Sequence, residues 1–245
     1  MSFTKGTLTV NTAYCSIGST YYGSYTDAYN AASTNATIKF LLNQSIGNVS
    51  VTKVGITLDF NNKTITGNIT ANSTSNYIKN GTLIGTITSK GSLTEIRSMT
   101  INSTVQGALA VTAGTTKVYG PTTITSSAGN AAYVSGGYLY TNNDGTTNHV
   151  VFKSTQATTT SGEAGALYVY SSGYVNLKYT ELHVIGRSAT NRWCIRRDGG
   201  TATLNTCWIY VTNAYSGYTR HLWGTVSTTN CAYYSSGTQV ANPYT

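Results

Sequence analysis

The sequence predicts an all-β protein built as a single right-handed parallel β-helix, or β-solenoid, with a short capping helix near its N-terminus. Only 9% of the 245 residues are charged, and Thr, Ser, Asn, Gly and Tyr fill the polar positions instead. Short runs of alternating apolar residues are separated by turn-forming residues, which is typical of strands. Apolar residues also recur with a fixed period, which indicates coils stacked on one another.

The N-terminal part divides into two predicted regions. Residues 1–22 lie outside the repeat and are interpreted as an arm for attachment or oligomerisation, whereas residues 23–245 form the solenoid. A helix is predicted at about residues 24–32, because Ser24 suits the N-cap and Asp27 is favourable in the first turn. We expect this helix to cover the apolar end of the solenoid, since an open end would expose core residues and unpaired strand edges.

The repeat has a period of 18 residues. The first core strand is predicted at Lys39–Leu42, and the regular repeat begins at Ile56. Three apolar columns define the repeat: Phe60, Ile78 and Ile96; Ile65, Leu83 and Ile101; Ile69, Ile87 and Val105. A left-handed β-helix has the same period, but it would place a small residue beside each Ile or Leu, and this sequence does not.

After residue 105 the coils lengthen but keep one order, namely a strand, a small-residue turn, a second strand and a third strand. The turns are predicted at Ala113-Gly114, Gly136-Gly137, Ser172-Gly173, Gly199-Gly200 and Gly224. The third strands are predicted at Thr123–Thr125, Val150–Phe152, Leu182–Val184 and Trp208–Val211. Insertions such as Asn142–Asn148 are predicted between the second and third strands, where longer loops add little closure entropy.

The opening of the repeat carries a resemblance to a known superfamily. The helix and the segments IKFLLNQ, NVSVTK, ITLDFNNKTITG and YIKNGTLIG resemble the start of right-handed parallel β-helix proteins of the pectate-lyase-like superfamily. The resemblance covers about residues 24–236 and is specific for the fold. It implies one of several functions, because the superfamily contains polysaccharide lyases and hydrolases, bacterial surface proteins, and phage tailspikes and other virion appendages.

The acidic residues are too few and too scattered to predict an enzyme. The seven carboxylates are those of Asp27, Asp59, Glu95, Asp144, Glu163, Glu181 and Asp198. Glycoside hydrolysis needs two acids roughly 5–9.5 Å apart. Asp59 is predicted to align with Tyr77 on the next coil and with Glu95 on the coil after that. Asp59 and Glu95 would therefore lie about 10 Å apart. The acids for the calcium cluster of the superfamily's lyases are missing. With no metal-like spacing among the three histidines, we predict no catalytic residues, no cofactor and no metal site.

Net charge and hydropathy limit the partners. The net charge of +8 reflects a shortage of acids rather than a basic arm, so nucleic-acid binding is not expected. No apolar run approaches the roughly 20 residues that span a bilayer, so no membrane association is expected. Residues 1–20 lack the pattern of a secretory signal, which favours assembly in the cytoplasm or a leader removed earlier.

Aromatic residues supply the candidate binding surface. Alternation around inward Leu139, Val175 and Ile209 places tyrosines and a tryptophan outside, where they suit sugar rings or another protein chain. The alternative is that Tyr is simply a good strand residue. The candidate ligand-binding residues are Tyr138, Tyr140, Tyr168, Tyr170, Tyr174, Arg196, Arg197, Trp208 and Tyr210.

The densest charged motif is Arg196-Arg197-Asp198, which precedes the turn at Gly199-Gly200. One interpretation is a contact to a ligand or an acidic sugar beside Trp193 and Tyr170. The other, which we favour, is an ion pair that flanks the turn.

Two further columns are predicted from the spacing. Cys207 and Cys231 occupy equivalent places one coil apart, and reduced, structural thiols are expected there. An outward column of Thr64, Thr82, Thr100 and Thr123 raises the alternative of ice binding, although the neighbouring column of Thr66, Ile84, Asn102 and Thr125 is irregular.

Together these features predict a non-enzymatic structural protein of a phage virion, either a tail fibre or spike or a head decoration protein. It would bind a glycan or another virion protein and would be assembled in the host cytoplasm. A homo-oligomer is expected, with a trimer favoured from the resemblance. The alternatives are a bacterial cell-surface adhesin, extracellular and without its leader, and a polysaccharide depolymerase.

Overall fold

The computed structural model describes residues 12–141, 148–155, 165–185, 192–212 and 219–242. It confirms an all-β solenoid with one short helix near the N-terminus. The helix is α1 (Tyr25–Ala31). The strands, in chain order, are β1 (Cys15–Ile17), β2 (Thr20–Tyr22), β3 (Thr37–Phe40), β4 (Gln44–Val51), β5 (Thr57–Ala71), β6 (Asn76–Ile84), β7 (Ile87–Ser89), β8 (Leu93–Ser103), β9 (Leu109–Val111), β10 (Thr115–Tyr119), β11 (Thr122–Ser126), β12 (Ala132–Val134), β13 (Tyr138–Thr141), β14 (Val150–Ser154), β15 (Leu167–Val169), β16 (Tyr174–Lys178), β17 (Thr180–Ile185), β18 (Arg192–Arg197), β19 (Thr201–Asn205), β20 (Trp208–Thr212), β21 (Thr219–Trp223), β22 (Ser227–Thr229), β23 (Ala232–Ser235) and β24 (Thr238–Val240).

The strands stack into three parallel ladders, and successive coils add strands to each. Ladder A contains β3, β5, β6, β8, β10, β13, β16, β19 and β22. Ladder B contains β4, β5, β6, β8, β11, β14, β17, β20 and β23. Ladder C contains β4, β5, β7, β9, β12, β15, β18 and β21. The long strand β5 belongs to all three ladders, and β4, β6 and β8 each belong to two.

Part of the predicted 18-residue register is confirmed. Ile65, Leu83 and Ile101 are backbone partners and are fully buried. Ile78 and Ile96 are also partners, but Phe60 is not, because the register between β5 and β6 shifts between Asp59 and Lys63. Leu58 takes the predicted place of Phe60 opposite Ile78, and Asn61 and Asn62 in the shifted segment have φ of 49° and 59°.

The third predicted column is wrong at its last member. Ile69 pairs with Ile87 as expected, but Ile87 then pairs with Leu109 rather than with Val105. Val105 is 54% exposed, whereas Leu109 is fully buried. The chain between β8 and β9 is longer than in the coil before, so counting 18 residues reaches the loop instead of the next strand.

The later coils follow the predicted order. The third strands lie in ladder B as β11, β14, β17 and β20, within one or two residues of the predicted bounds. The predicted insertion Asn142–Asn148 falls almost wholly outside the described residues. The connections from β14 to β15, from β17 to β18 and from β20 to β21 are also long. Insertions therefore occur between ladders B and C as well, which corrects the prediction that they lie between the second and third strands.

The N-terminal end of the core is covered as predicted. The Ser24 Oγ accepts a hydrogen bond from the Asp27 N–H at 3.0 Å and caps α1. Tyr25 is buried and stacks on Phe40, with ring centroids 5.9 Å apart. The first core strand is Thr37–Phe40 rather than Lys39–Leu42, because Ile38 and Phe40 alternate inward while Leu42 is 40% exposed.

A hairpin extends the sheet beyond the predicted boundary at residue 22. β1 pairs antiparallel with β2 and with β3, where Cys15 opposes Phe40 and is fully buried. Residues 15–22 are therefore joined to the solenoid, and an attachment role for residues 1–22 stays a prediction. At the other end, β24 pairs antiparallel with β23. The described part of the chain contains no helix with the length and apolar character needed to cross a membrane.

Candidate functional site

The structure distributes the predicted binding residues over three ladders instead of one site. Ladder A carries Tyr138, Tyr140 and Tyr174. Ladder C carries Tyr168 and Arg196 as backbone partners, with Arg197 beside them, and Tyr170 directly follows β15. Ladder B carries Trp208 and Tyr210 on β20. Each group has a different environment.

The ladder A group forms a compact cluster of rings, which we call the tyrosine platform: Tyr138, Tyr140 and Tyr174. The ring centroids of Tyr138 and Tyr140 lie 6.4 Å apart with nearly parallel planes. Tyr174 lies 5.5 Å from Tyr138 and 5.8 Å from Tyr140. Tyr138 is 49% exposed, and the inward neighbours Leu139 and Val175 are fully buried. The alternation predicted from the sequence is confirmed here, and it fixes the rings on two paired strands.

The environment of Tyr140 strengthens the preference of its phenol for the protonated form. Desolvation within the cluster and the neighbouring Tyr174 and Tyr138 hydroxyls raise the pKa of Tyr140. A protonated phenol offers an O–H donor at the edge of an apolar ring. The tyrosine platform therefore combines ring faces for stacking with hydroxyl groups for hydrogen bonding.

The side chains of the ladder C group interact mainly with one another and with the neighbouring turn. Arg196 forms an ion pair with Asp198 at 2.5 Å, and the Tyr168 hydroxyl donates to the same carboxylate at 3.1 Å. Although burial acts in the opposite direction, these hydrogen bonds lower the pKa of Asp198. Arg197 donates two hydrogen bonds to the Gly200 carbonyl. The favoured interpretation, an ion pair flanking the turn, therefore matches the geometry, and Tyr168 is only 9% exposed.

Ladder B contains a cluster that sequence reasoning missed. The Glu181 carboxylate accepts hydrogen bonds from His149 Nδ1 at 2.8 Å and from His183 Nε2 at 3.0 Å. The His149 ring stacks on Trp208 and the His183 ring on Tyr210, each with centroids 4.3 Å apart. Alternation along β17 places Glu181 and His183 on one side, which was a usable signal, but His149 is separated from Glu181 by 32 positions and a strand of unknown register.

This cluster makes stability depend on pH. The hydrogen bond from His183, together with that from His149, outweighs partial burial and lowers the pKa of Glu181 to about 2. A carboxyl group with a lowered pKa in the folded state stabilises the protein above its unfolded pKa, and this contribution is lost as the pH falls towards the folded pKa. Allowing for the 28% exposure of the side chain, we expect a contribution of about 2 kcal/mol.

We therefore predict that Glu181→Gln lowers the free energy of unfolding by about 2 kcal/mol at pH 7 and by much less at pH 2. Urea denaturation of both proteins at several pH values between 2 and 7 measures the difference. Glu95→Gln is the control, because Glu95 pairs with Arg97, whose side chain is 47% exposed, and such pairs contribute about 1 kcal/mol or less. A constant difference between wild type and Glu181→Gln across this range would contradict the assignment.

The acidic residues of the described chain contact Lys, Arg or His side chains, or a helix cap, rather than one another. The carboxylate of Asp59 lies 3.8 Å from the ammonium group of Lys79, which is its backbone partner on the next coil. Glu95 is the backbone partner of Tyr77. The predicted alignment of Asp59 with Tyr77 is therefore wrong, again because of the shift after Asp59. Asp144 and Glu163 fall outside the described residues. Within the described ranges, no group of three or more His, Cys, Asp and Glu side chains could hold a metal ion.

The two other predicted columns are placed as expected. Thr64, Thr82, Thr100 and Thr123 are successive partners, and the column ends at Val151. The irregular neighbouring column includes Ile84, which is 46% exposed, so no uniform threonine array forms. Cys207 and Cys231 lie at equivalent positions on neighbouring coils and form no disulfide.

Comparison with known protein families, with curated proteins and with solved structures finds no match for this chain.

Proposed function

We propose that this protein is a non-enzymatic binding solenoid that holds a glycan on the tyrosine platform. The observation that carries the proposal is the cluster of three rings on β13 and β16, with Tyr138 half exposed. Aromatic rings stack on the apolar faces of sugars while their hydroxyls hydrogen-bond to the polar edges. Strands about 4.8 Å apart hold the rings at fixed positions, so little side-chain entropy is lost on binding.

We further propose that the protein works as part of a phage virion, as a tail fibre or spike or as a head decoration protein. The resemblance of residues 24–236 to the pectate-lyase-like superfamily, with its virion appendages, supports this setting. A long stack of paired strands covered by α1 at one end suits a rigid appendage. A bacterial surface adhesin would use the same platform in the same way.

Contact with another virion protein, or between three copies of this chain, is the second candidate function. It is favoured by exposed aromatic side chains on ladder C, where Tyr170 is 47% and Trp223 is 46% exposed. The ring centroids of Trp223 and Trp193 also lie 4.9 Å apart. Tyrosine and tryptophan are enriched where chains meet, and light scattering on a sizing column gives the number of chains.

The glycan proposal is tested by retention on a panel of immobilised bacterial polysaccharides. We expect wild type to be retained on at least one polysaccharide, and Tyr138→Ala/Tyr174→Ala to bind it at least tenfold more weakly. Each truncated aromatic anchor costs more than about 1 kcal/mol at a binding hot spot, and 1.4 kcal/mol is tenfold. Tyr21→Ala is the matched control, because Tyr21 is 67% exposed and lies on the N-terminal hairpin.

The non-enzymatic part of the proposal is tested in the same experiment. Polysaccharide incubated with the protein should keep its chain length, as measured by size-exclusion chromatography with light scattering. Shortened chains would identify a depolymerase. Absence of retention on every polysaccharide, or equal retention of the double variant and wild type, would contradict the platform.

A further inference from the structure

A recess lies directly beside the tyrosine platform on ladder A. Its volume is about 170 Å³, and it is lined by Lys117, Tyr140, Thr141, Asn176 and Lys178. Lys117, Tyr140 and Asn176 are backbone partners on β10, β13 and β16, so they form one column across three coils. Tyr140 belongs both to this recess and to the tyrosine platform, which makes the two surfaces continuous.

Buried hydroxyl groups form hydrogen bonds to the backbone at the edge of the recess where Thr141 and Lys178 lie. The Thr141 Oγ1 accepts a hydrogen bond from the Lys178 N–H at 2.8 Å and donates to the Lys178 carbonyl at 3.0 Å. Thr141 is only 4% exposed, and its hydroxyl also lies 2.8 Å from that of Thr180. The backbone at Lys178 is thereby fixed against the end of β13, while the lysine side chain itself is exposed.

The recess carries positive charge that the described residues do not neutralise. Among the described residues, no carboxylate lies within ion-pair distance of the ammonium group of Lys117 or Lys178. Glu95 is the backbone partner of Lys117, but its carboxylate is bound to Arg97 at 2.8 Å. The remaining lining groups include the hydroxyl of Tyr140 and the amide of Asn176, which are neutral donors. Two ammonium groups with neutral donors between them select an anion.

The size of the recess limits what it holds. Pockets that enclose a whole small ligand measure about 300–1,000 Å³, so a recess of about 170 Å³ suits one charged unit of a longer molecule. The rest of such a molecule would lie on the adjacent rings. From this arrangement we infer that the recess binds the carboxylate, sulfate or phosphate group of an acidic glycan, whose neighbouring sugar rings stack on the tyrosine platform. The inference rests on the proposed glycan binding and names the class of glycan.

A glycan array tests this inference with three proteins. The array carries uronic-acid, sialic-acid, sulfated, phosphorylated and neutral glycans. The proteins are wild type, Lys117→Gln/Lys178→Gln, and the control Lys63→Gln/Lys90→Gln, which removes the same two charges outside the recess. Circular dichroism establishes that the three proteins are equally folded.

We expect the strongest wild-type signals on acidic glycans, and the signals should fall with added salt, because charge contacts are screened. Lys117→Gln/Lys178→Gln should lose at least tenfold on acidic glycans and little on neutral ones, while the control keeps wild-type binding. The four acidic classes on the array identify whether a carboxylate, a sulfate or a phosphate is preferred.

Two outcomes overturn the inference and are distinguishable. If wild type binds neutral glycans as strongly as acidic ones, or if both double variants lose binding equally, glycan binding stands but the anion site is wrong. If wild type binds no glycan on the array, the proposed function itself fails.

Discussion

Replacing Gly200 with alanine is expected to lower the free energy of unfolding by about 4 kcal/mol. Gly200 has φ of +63°, and an added Cβ would lie 1.9 Å from the carbonyl oxygen of Gly173 in the preceding coil. The left-handed conformation costs a non-glycine residue about 1–2 kcal/mol, and forcing backbone apart adds about 1–3 kcal/mol. The Gly173 oxygen also accepts the Thr201 N–H at 2.9 Å, and this bond would be strained.

Urea denaturation followed by circular dichroism measures the effect. Gly23→Ala is the matched control, because an added Cβ at Gly23 meets no atom within 4 Å. We expect the control to change the free energy of unfolding by less than about 0.5 kcal/mol. Equal effects of the two substitutions would show that the turns of neighbouring coils do not approach as closely as Gly200 and Gly173 do in the structure.

Replacing Phe152 with alanine is expected to lower the free energy of unfolding by about 3–5 kcal/mol. Phe152 is fully buried on β14, between its backbone partners Ile124 and Leu182 in neighbouring coils. Removal of the ring leaves a cavity in the interior that the paired backbones on either side cannot close. Such cavities add to the lost transfer free energy of the ring.

Val151→Ala is the control for this substitution. Val151 is the preceding residue on the same strand, and it is only partly buried because alternation places it on the opposite side. We expect a loss of about 1 kcal/mol or less, measured in the same denaturation series. An equal loss for the two variants would indicate that the register of β14 is wrong by one residue, since a shift of one exchanges the two faces.

The sequence predicted those parts of the fold that depend on local periodicity. Inward Leu139 and Val175, with outward tyrosines beside them, followed from alternation alone. Ser24 and Asp27 identified the cap of α1 because they interact within one turn: the Ser24 Oγ accepts the Asp27 N–H, and the Asp27 carboxylate accepts the Ser24 hydroxyl. Where consecutive coils have equal length, as from Leu83 to Ile101, the 18-residue period also placed partners correctly.

Prediction failed where the length of a coil changes. The shift after Asp59 and the longer chain before Leu109 each moved the register, so Phe60 and Val105 were misassigned. Polar residues inside the coil were missed as well, since Thr94 and Thr116 are fully buried partners. A fixed period predicts backbone partners only where every coil has the same number of residues, and it does not predict the length of an irregular loop.

The same limit explains why the candidate sites were only partly predicted. The tyrosine platform was found because its rings lie on strands whose alternation is clear. The recess formed by Lys117 and Lys178 was not found, because the two lysines lie on different strands with coils of unequal length between them. The contact of His149 with Glu181 was missed for the same reason, because 32 positions separate the two residues in the chain.

Hydroxyl-radical footprinting of tyrosines, with and without the array glycan that gives the strongest signal, tests the central claim most directly. Tyr138 on ladder A and Tyr170 after β15 are 49% and 47% exposed, so the unbound protein should label them about equally. If the tyrosine platform holds the glycan, bound glycan should protect Tyr138 strongly and leave Tyr170 unchanged. Protection of Tyr170 alone, or of neither residue under saturating glycan, would contradict a glycan-binding platform on ladder A.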